Sequence, residues 1–248
     1  MFLWSVLITS DDDTQLTPQI EENVNSLKAN HPEFEHKLFR GPDVLDLLER
    51  KFPAHVLESF HALQPFAYQA DLARYCILYE FGGIYADLSY FFVNPVPLTA
   101  GKPTVFRGKL VSAPWDTSNG LIFTPPRHKA LARAIELVCA NVRRRYYGLN
   151  PLCPTGPALL GKAFASTCEA EEIITGAARL LPRARVIRTA PDLAIPDDDM
   201  VHCQIYGETL VAVKRKRLRS PGLTDFGVTT GNNYLDIWRA KQVYFDGP

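Results

Sequence analysis

Two short stretches of the sequence place acidic, basic and hydroxyl side chains where they can act together. Asp71 and Arg74 are three residues apart, so they share one face if this stretch is a helix. Tyr85, Asp87 and Ser89 alternate with apolar residues, so they share one side of a strand. A carboxylate within such an apolar strand is costly to bury unless it is paired or binds a cation. These five residues are the first candidates for a functional site.

Carboxylates and a guanidinium in this arrangement suit a substrate in which a sugar carries a diphosphate. A divalent cation held by one or two carboxylates stabilises the charge on a departing diphosphate. A neighbouring carboxylate and guanidinium can hydrogen-bond sugar hydroxyls and fix the substrate in place. Two simpler explanations stay open: Asp71 and Arg74 form a surface ion pair, and Asp87 caps a turn at an exposed strand end.

The pattern of apolar residues predicts the elements that position these side chains. Residues 65–81 are predicted to form a helix that ends at Gly82-Gly83, and residues 84–92 form the next strand. Residues 3–8 are predicted as a buried strand, and Thr17-Pro18 as the start of a helix. This strand–helix order predicts an α/β fold with parallel strands. Further strands are predicted at 34–39, 104–106, 121–124, 184–188 and 210–213, and further helices at 42–52, 127–145 and 157–168.

Composition excludes several classes of protein. The 248 residues suffice for one large domain, and 27 basic side chains balance 27 acidic ones, so nothing favours a nucleic-acid partner. Five scattered cysteines without a CxxC pair predict reduced thiols rather than disulfides or a zinc site. The apolar stretch 1–8 lacks a basic leader and meets Asp11–Asp13, which favours a core strand over a signal peptide. A cytoplasmic location is therefore expected.

The block from Ala70 to Asp87 resembles the sugar-binding region of DXD glycosyltransferases, most closely family 32. The resemblance is carried by Ala-Asp-Leu-Ala-Arg-Tyr at 70–75 and by Gly-Gly-Ile-Tyr-Ala-Asp at 82–87. It implies a GT-A, Rossmann-like α/β fold with a mixed central sheet in one domain, 1–248. Residues 1–125 would form the nucleotide-sugar half, and 126–248 the acceptor side with a closing C-terminal segment. Weaker similarity lies at Asn119–Phe123, Pro126–His128, Thr155–Pro157 and Gly231–Tyr234 with Trp238.

The resemblance also implies roles for single residues. Asp71 and Arg74 would bind the donor sugar, and Asp87, as the first DXD aspartate, would bind the metal and the donor. These three are the implied catalytic residues, and the activity would be retaining hexosyl transfer. The implied donor-binding residues are Thr9, Asp71, Arg74, Tyr85, Asp87, Asn119, Gly156, Asn232, Asn233 and Trp238. The implied ligands for Mn²⁺ or Mg²⁺ are Asp87, Ser89 and Asn233.

The second DXD acid is replaced by Ser89, which departs from the pattern. Serine is a weak metal ligand, so Asp225 or Asp236 in the C-terminal segment could take its place. The departure also keeps open a non-catalytic protein that binds a nucleotide sugar. A phosphatase of the dehalogenase type needs Asp-x-Asp-x-Thr near the N-terminus, which this chain lacks.

Two basic runs, Lys214–Arg217 with Arg219 and Arg143–Arg145, are predicted to form solvated surfaces. The functional alternative is attraction to an anionic membrane or a phosphate-bearing acceptor. The expected partners are a UDP- or GDP-sugar donor and a saccharide or lipid-linked acceptor. With a lipid-linked acceptor, the protein would act at the inner face of the membrane.

Overall fold

The computed structural model describes residues 1–108, 115–218, 220 and 222–245. In these residues nine strands form one sheet, with helices between them. The strands are β1 (Phe2–Leu7), β2 (Glu35–Arg40), β3 (Gly83–Ala86), β4 (Tyr90–Phe92), β5 (Thr104–Gly108), β6 (Thr117–Thr124), β7 (Ile174–Pro182), β8 (Met200–Tyr206) and β9 (Thr209–Lys214). The α-helices are α1 (Pro18–Asn30), α2 (Gly41–Lys51), α3 (Ala54–Ala62), α4 (Phe66–Phe81), α5 (Lys129–Arg143), α6 (Pro157–Ala165), α7 (Arg183–Thr189) and α8 (Tyr234–Arg239).

The sheet is mixed, which confirms the predicted α/β class. β1 pairs in parallel with β2 and β3, whereas β3 pairs antiparallel with β6. β5 pairs antiparallel with β6 and in parallel with β7. The β8, β9 and β4 pairings that follow are antiparallel. The parallel β1–β2 pair is the one that the strand–helix–strand start of the chain predicts.

β3 and β4 are neighbours in the chain but not in the sheet. The strand order is β2-β1-β3-β6-β5-β7-β8-β9-β4, so six strand spacings separate them. At about 4.8 Å per spacing, a flat sheet would place them about 29 Å apart. The chain from Ala86 to Tyr90 spans at most about 14 Å. The sheet must therefore curl until its β9–β4 end approaches β3, and the turn at Asp87 bridges the two.

A glycine turn joins the central helix α4 to β3. Gly82 and Gly83 have φ of 62° and 105°, a region that other residues rarely adopt. The indole N–H of Trp4 donates to Gly82 O at 2.6 Å, which ties the turn to β1. A Cβ on Gly83 would lie 2.4 Å from Phe2 O, so the strand pairing leaves no room for a side chain there.

The predicted strand 84–92 is wrong as a single strand. Asp87 N donates to Gly120 O at 2.8 Å, and Tyr90 N donates to Asp87 O at 3.1 Å, which closes a tight turn. The strand divides because β3 pairs with β6, whereas β4 pairs with β9. Tyr85 and Asp87 nevertheless stay together, since the Tyr85 hydroxyl donates to Asp87 Oδ1 at 3.0 Å.

A second correction concerns residues 184–188, predicted as a strand, which lie in helix α7. The strand in this part of the chain is β7, although its sequence, Ile-Thr-Gly-Ala-Ala-Arg-Leu-Leu-Pro, is poor in β-branched and aromatic residues. Pairing with β5 on one side and β8 on the other imposes the extended form. Neither β8 nor α3 is among the predicted elements.

All five cysteines are free, as their scattered spacing predicts. Across the described ranges, no helix has both the length and the apolar character needed to span a membrane. The division near residue 125 and the single-domain organisation stay predictions.

We expect Gly83→Ala to lower the free energy of unfolding by about 3 kcal/mol or more, because it combines left-handed strain with overlap against β1. Gly207→Ala is the matched control: Gly207 has φ of 57°, and a Cβ there would meet nothing within 4 Å. That variant is expected to lose about 1 kcal/mol. Urea unfolding of both variants measures the difference, and equal losses would contradict the close β1–Gly83 packing.

Candidate active site

A cavity of about 560 Å³ opens beside the Asp87 turn. Its wall combines the end of β1, the first half of α4, β6, β9 and parts of residues 216–235. The volume suits a small-molecule ligand. Among the described residues that line it, four carry cationic side chains and three carry carboxylates. They are Arg74, Lys214, Lys216, Arg217, Asp71, Asp87 and Asp116.

Arg74 is a buried guanidinium between two carboxylates, and 7% of its side chain is exposed. Nη1 lies 2.9 Å from Asp87 Oδ1 and donates to Asn119 O at 2.8 Å. Nη2 lies 3.2 Å from Asp71 Oδ1. The guanidinium carbon is 4.5 Å from the centre of the Tyr85 ring, within cation–π range. The alternative of a solvated surface ion pair is therefore wrong.

Asp71 is fixed by hydrogen bonds that come from β6 and from the loop before α6. Asn119 Nδ2 donates to Asp71 Oδ1, and Thr155 Oγ1 donates to Oδ2, both at 2.7 Å. Each carboxylate oxygen can accept two hydrogen bonds, so Oδ2 retains capacity for a hydroxyl from the cavity. A Cβ on Gly156 would lie 3.4 Å from Oδ2, so glycine at this position leaves that oxygen approachable.

Asp87 lies at the centre of the charged cluster. Its Oδ1 accepts from Arg74 and from the Tyr85 hydroxyl, and its Oδ2 lies 3.3 Å from Lys214 Nζ. A Cβ on Gly120 would come within 2.5 Å of Oδ2, so the carboxylate needs glycine beside it on β6. The alternative that Asp87 caps a turn at an exposed strand end is partly right. Asp87 does begin a turn, but it is not at an exposed end, since only 23% of its side chain is exposed.

The pKa values of Asp87 and Asp71 are shifted in opposite directions. Burial would raise the pKa of Asp87, but the guanidinium of Arg74 and the ammonium of Lys214 outweigh it and lower that pKa to about 2. Burial raises the pKa of Asp71 despite the nearby Arg74. Burial, and then Lys214, lower the pKa of Lys216 to about 8. Asp87 therefore carries a negative charge at neutral pH.

The basic run at the end of β9 is not the solvated surface that the sequence predicts. Lys214 and Lys216 line the cavity. The residue between them, Arg215, is buried on the other side and places Nη1 2.6 Å from Glu22 Oε2. Alternation along an extended strand explains this division. Arg219, also in the predicted run, lies outside the described residues.

The C-terminal segment closes one side of the cavity. Asn232 lines the cavity, and its side chain accepts from Phe66 N at 3.0 Å and donates to Gln64 O at 2.9 Å. Ser10 N donates to Thr230 O at 2.9 Å. The segment is therefore fastened both to the start of α4 and to the loop after β1.

The other predicted donor residues lie in different places. Thr9 is on the cavity wall, at the end of β1. Among the described residues that line the cavity, neither Asn233 nor Trp238 occurs. Asn233 Oδ1 accepts from Leu235 N and caps α8, and the Trp238 indole donates to Tyr147 O at 2.8 Å. Their role in donor binding stays a prediction that this arrangement does not support.

The predicted metal ligands do not form a suitable site for Mn²⁺ or Mg²⁺, which need several oxygen ligands at short range. Asp87 is the one carboxylate among them, and both of its oxygens already face cationic or hydroxyl donors. Ser89 offers a neutral oxygen, and Asn233 caps a helix. Within the described part of the chain, no three His, Cys, Asp or Glu side chains converge as metal ligands.

The two substitute acids are engaged elsewhere. Asp225 accepts from the backbone N of Arg217 at 2.7 Å. Asp236 accepts from Asn233 at 2.5 Å and lies 3.5 Å from Arg239. Neither lines the cavity in the described residues. The predicted ligands and the two substitute acids therefore do not fit a divalent metal.

Several site residues escape prediction from the sequence. Gly120 and Thr155 occur in the weaker similarities, but without an assigned role, and Lys214 is assigned to a solvated surface. Residues 210–213 are all apolar and all buried, so strand alternation gives no signal that singles out Lys214. The carboxylate contacts of Gly120 and Thr155 depend on tertiary structure, so no local pattern reveals them.

Comparisons with known proteins show similarity to glycosyltransferases. Residues 17–105 match the family described as glycosyltransferase sugar-binding region containing DXD motif. The chain is 25% identical over 157 residues to inositol phosphoceramide mannosyltransferase 1 of Schizosaccharomyces pombe. That match covers 61% of this chain and 48% of the relative, so the chain spans about half of the relative's length.

A solved structure entitled PaToxG Glycosyltransferase superposes with a TM-score of 0.50 at 15% sequence identity. The superposition covers 66% of this chain and 67% of the other. At this identity the likeness shows the fold, which is GT-A-like as the family resemblance implies. The closer resemblance to family 32 stays a prediction.

We expect acid to destabilise the wild type more steeply than Asp87→Asn. Because the folded pKa of Asp87, about 2, lies below the unfolded value, this group stabilises the fold above about pH 4 and the contribution disappears between pH 4 and 2. The difference amounts to up to about 2 kcal/mol. Urea unfolding at pH 6, 4 and 2.5 measures it, and parallel pH profiles for both proteins would contradict the Arg74–Asp87–Lys214 cluster.

Proposed function

We propose that the chain, whose residues 17–105 match a DXD-type glycosyltransferase region, transfers a hexose from a UDP- or GDP-sugar to a saccharide or lipid-linked acceptor. One observation carries the proposal: Arg74 fixes Asp71 and Asp87 side by side on the wall of a cavity of about 560 Å³. The family match gives this cluster its expected substrate, the sugar of a sugar nucleotide.

The cluster suits the sugar part of the donor. Asp71 has capacity left for a hydroxyl proton, and Asp87 is a permanent carboxylate that accepts from hydroxyls. Because Arg74 and Asn119 fix both groups from behind, their positions are set before the donor enters. Such preorganisation lowers the entropy lost on binding and orients the anomeric carbon.

In the transfer step, the bond between the anomeric carbon and the diphosphate oxygen breaks, and its electron pair stays on the diphosphate. The acceptor oxygen forms the new bond to the anomeric carbon and gives its proton to the departing diphosphate. No described carboxylate is assigned as a nucleophile. We propose retention of the anomeric configuration on the resemblance to the DXD family, and proton NMR of the product would decide it.

The acceptor and location are proposals of the same kind. The fission-yeast relative is named for mannosyl transfer to inositol phosphoceramide, which supports mannose as the sugar and a lipid-linked acceptor. Arg143, Arg144 and Arg145 are exposed and supply a surface for an anionic membrane. The cytoplasmic location stays a prediction.

A second candidate is a protein that binds a nucleotide sugar without transferring it. Ser89 in place of the second DXD acid favours this candidate. Calorimetry that shows donor binding, together with no released nucleoside diphosphate across a panel of acceptors, would identify it.

We expect Asp87→Ala to lower the rate of donor turnover at least about 100-fold, because it removes a carboxylate that is charged at neutral pH, takes away the carboxylate beside Lys214 and leaves Arg74 with Asp71 alone. The measurement is nucleoside diphosphate released from a panel of UDP- and GDP-hexoses. Asp46→Asn, in an exposed pair on α2, is the control and should keep activity within about twofold. Full turnover by Asp87→Ala would remove Asp87 from the mechanism.

A further inference from the structure

We propose that Lys214, assisted by Lys216 and Arg217, binds the donor's diphosphate in place of a divalent metal, so that transfer proceeds without one. The inference rests on the proposed function, because it concerns the diphosphate of the same donor. It assigns a role to the basic run at the end of β9 and accounts for Ser89 at the second DXD position.

The position of Lys214 supports the assignment. Lys214 is paired with Tyr90 across the β4–β9 ladder, and Arg215 N donates to Ser89 O at 2.8 Å. This pairing brings the Lys214 backbone beside the turn that carries Asp87. From there the ammonium extends to 3.3 Å from Asp87 Oδ2 and lies 5.1 Å from the Tyr90 ring centre. It therefore sits against the oxygen of Asp87 that Arg74 does not contact.

The charges around Asp87 favour an anion at this place and oppose a further cation. Arg74 and Lys214 contact different oxygens of Asp87, and Arg74 also contacts Asp71, so these two cations already meet the charge of the Asp87 carboxylate. A divalent cation at Oδ2 would have to displace Lys214, and the second DXD position offers it a neutral serine oxygen rather than a carboxylate. A diphosphate, by contrast, meets a site with excess positive charge.

Lys214 also has the right donors. An ammonium has three N–H groups, and among described contacts one is used on Asp87. Lysine binds phosphate as a point charge, without the fixed geometry of a guanidinium. Lys216 and Arg217 line the same cavity and extend the positive surface toward the C-terminal segment. Lys216 donates to Gly222 O at 3.0 Å, which fixes its side chain there. The cations can thus neutralise the charge that develops on the departing diphosphate.

The test uses calorimetric titration of the whole chain with UDP, GDP and inorganic pyrophosphate, in EDTA and in Mn²⁺. We expect at least one of these probes to bind the wild type in EDTA, with a Kd within about threefold of that in Mn²⁺. Lys214→Met should weaken the binding about 10- to 100-fold, the effect of losing a charge-assisted hydrogen bond. Lys214→Arg should stay within about fivefold of wild type, and Lys162→Met, on the exposed side of α6, should bind like wild type.

Uridine or guanosine, which lacks the diphosphate, should bind wild type and Lys214→Met equally. Wild-type binding that requires Mn²⁺ would overturn this inference and leave the proposed function standing. Absence of binding to all three probes in both conditions would overturn the two together. If Lys214→Met does not fold, the wild-type comparison between EDTA and Mn²⁺ decides the question by itself.

Discussion

The buried guanidinium of Arg74 is the interaction on which the site depends. It reaches Asp71 on its own helix, Asp87 in the turn after β3 and the backbone of Asn119 on β6, and so joins three elements at one point. A charge so far from solvent is tolerated because each carboxylate is also held by hydroxyl or amide donors. The same contacts that satisfy Arg74 therefore place the two carboxylates beside the cavity.

The curl of the sheet brings a cationic side chain from β9 to the Asp87 turn, which the contacts of Arg74 do not do. Because three residues join β3 to β4, the far end of the sheet must return to the Asp87 turn, and β9 brings Lys214 with it. The cavity is bounded on one side by residues near 71–120 and on another by residues near 214–235, which are remote in sequence. A carboxylate cluster and a cationic edge thus face each other across one space, as a sugar bound to a diphosphate requires.

The sequence predicts the local part of this arrangement and misses the tertiary part. The α4 helix, the Gly82-Gly83 turn and the proximity of Asp71, Arg74, Tyr85 and Asp87 follow from helix and strand periodicity and from glycine. The break at Asp87 does not follow, because it depends on β3 and β4 finding different partners. β7 is likewise extended only through its neighbours. Lys214 belongs to the site because β9 pairs with β4, and no segment of the sequence near residue 87 carries that information.

A crystal structure with an intact UDP- or GDP-hexose would show directly whether Asp71, Asp87 and Lys214, which Arg74 and β9 hold in place, together bind one sugar diphosphate. We expect the hexose hydroxyls to contact Asp71 and Asp87, and the diphosphate oxygens to lie within hydrogen-bonding distance of Lys214. This expectation would be contradicted by a donor whose diphosphate lies away from β9, or whose sugar contacts neither carboxylate.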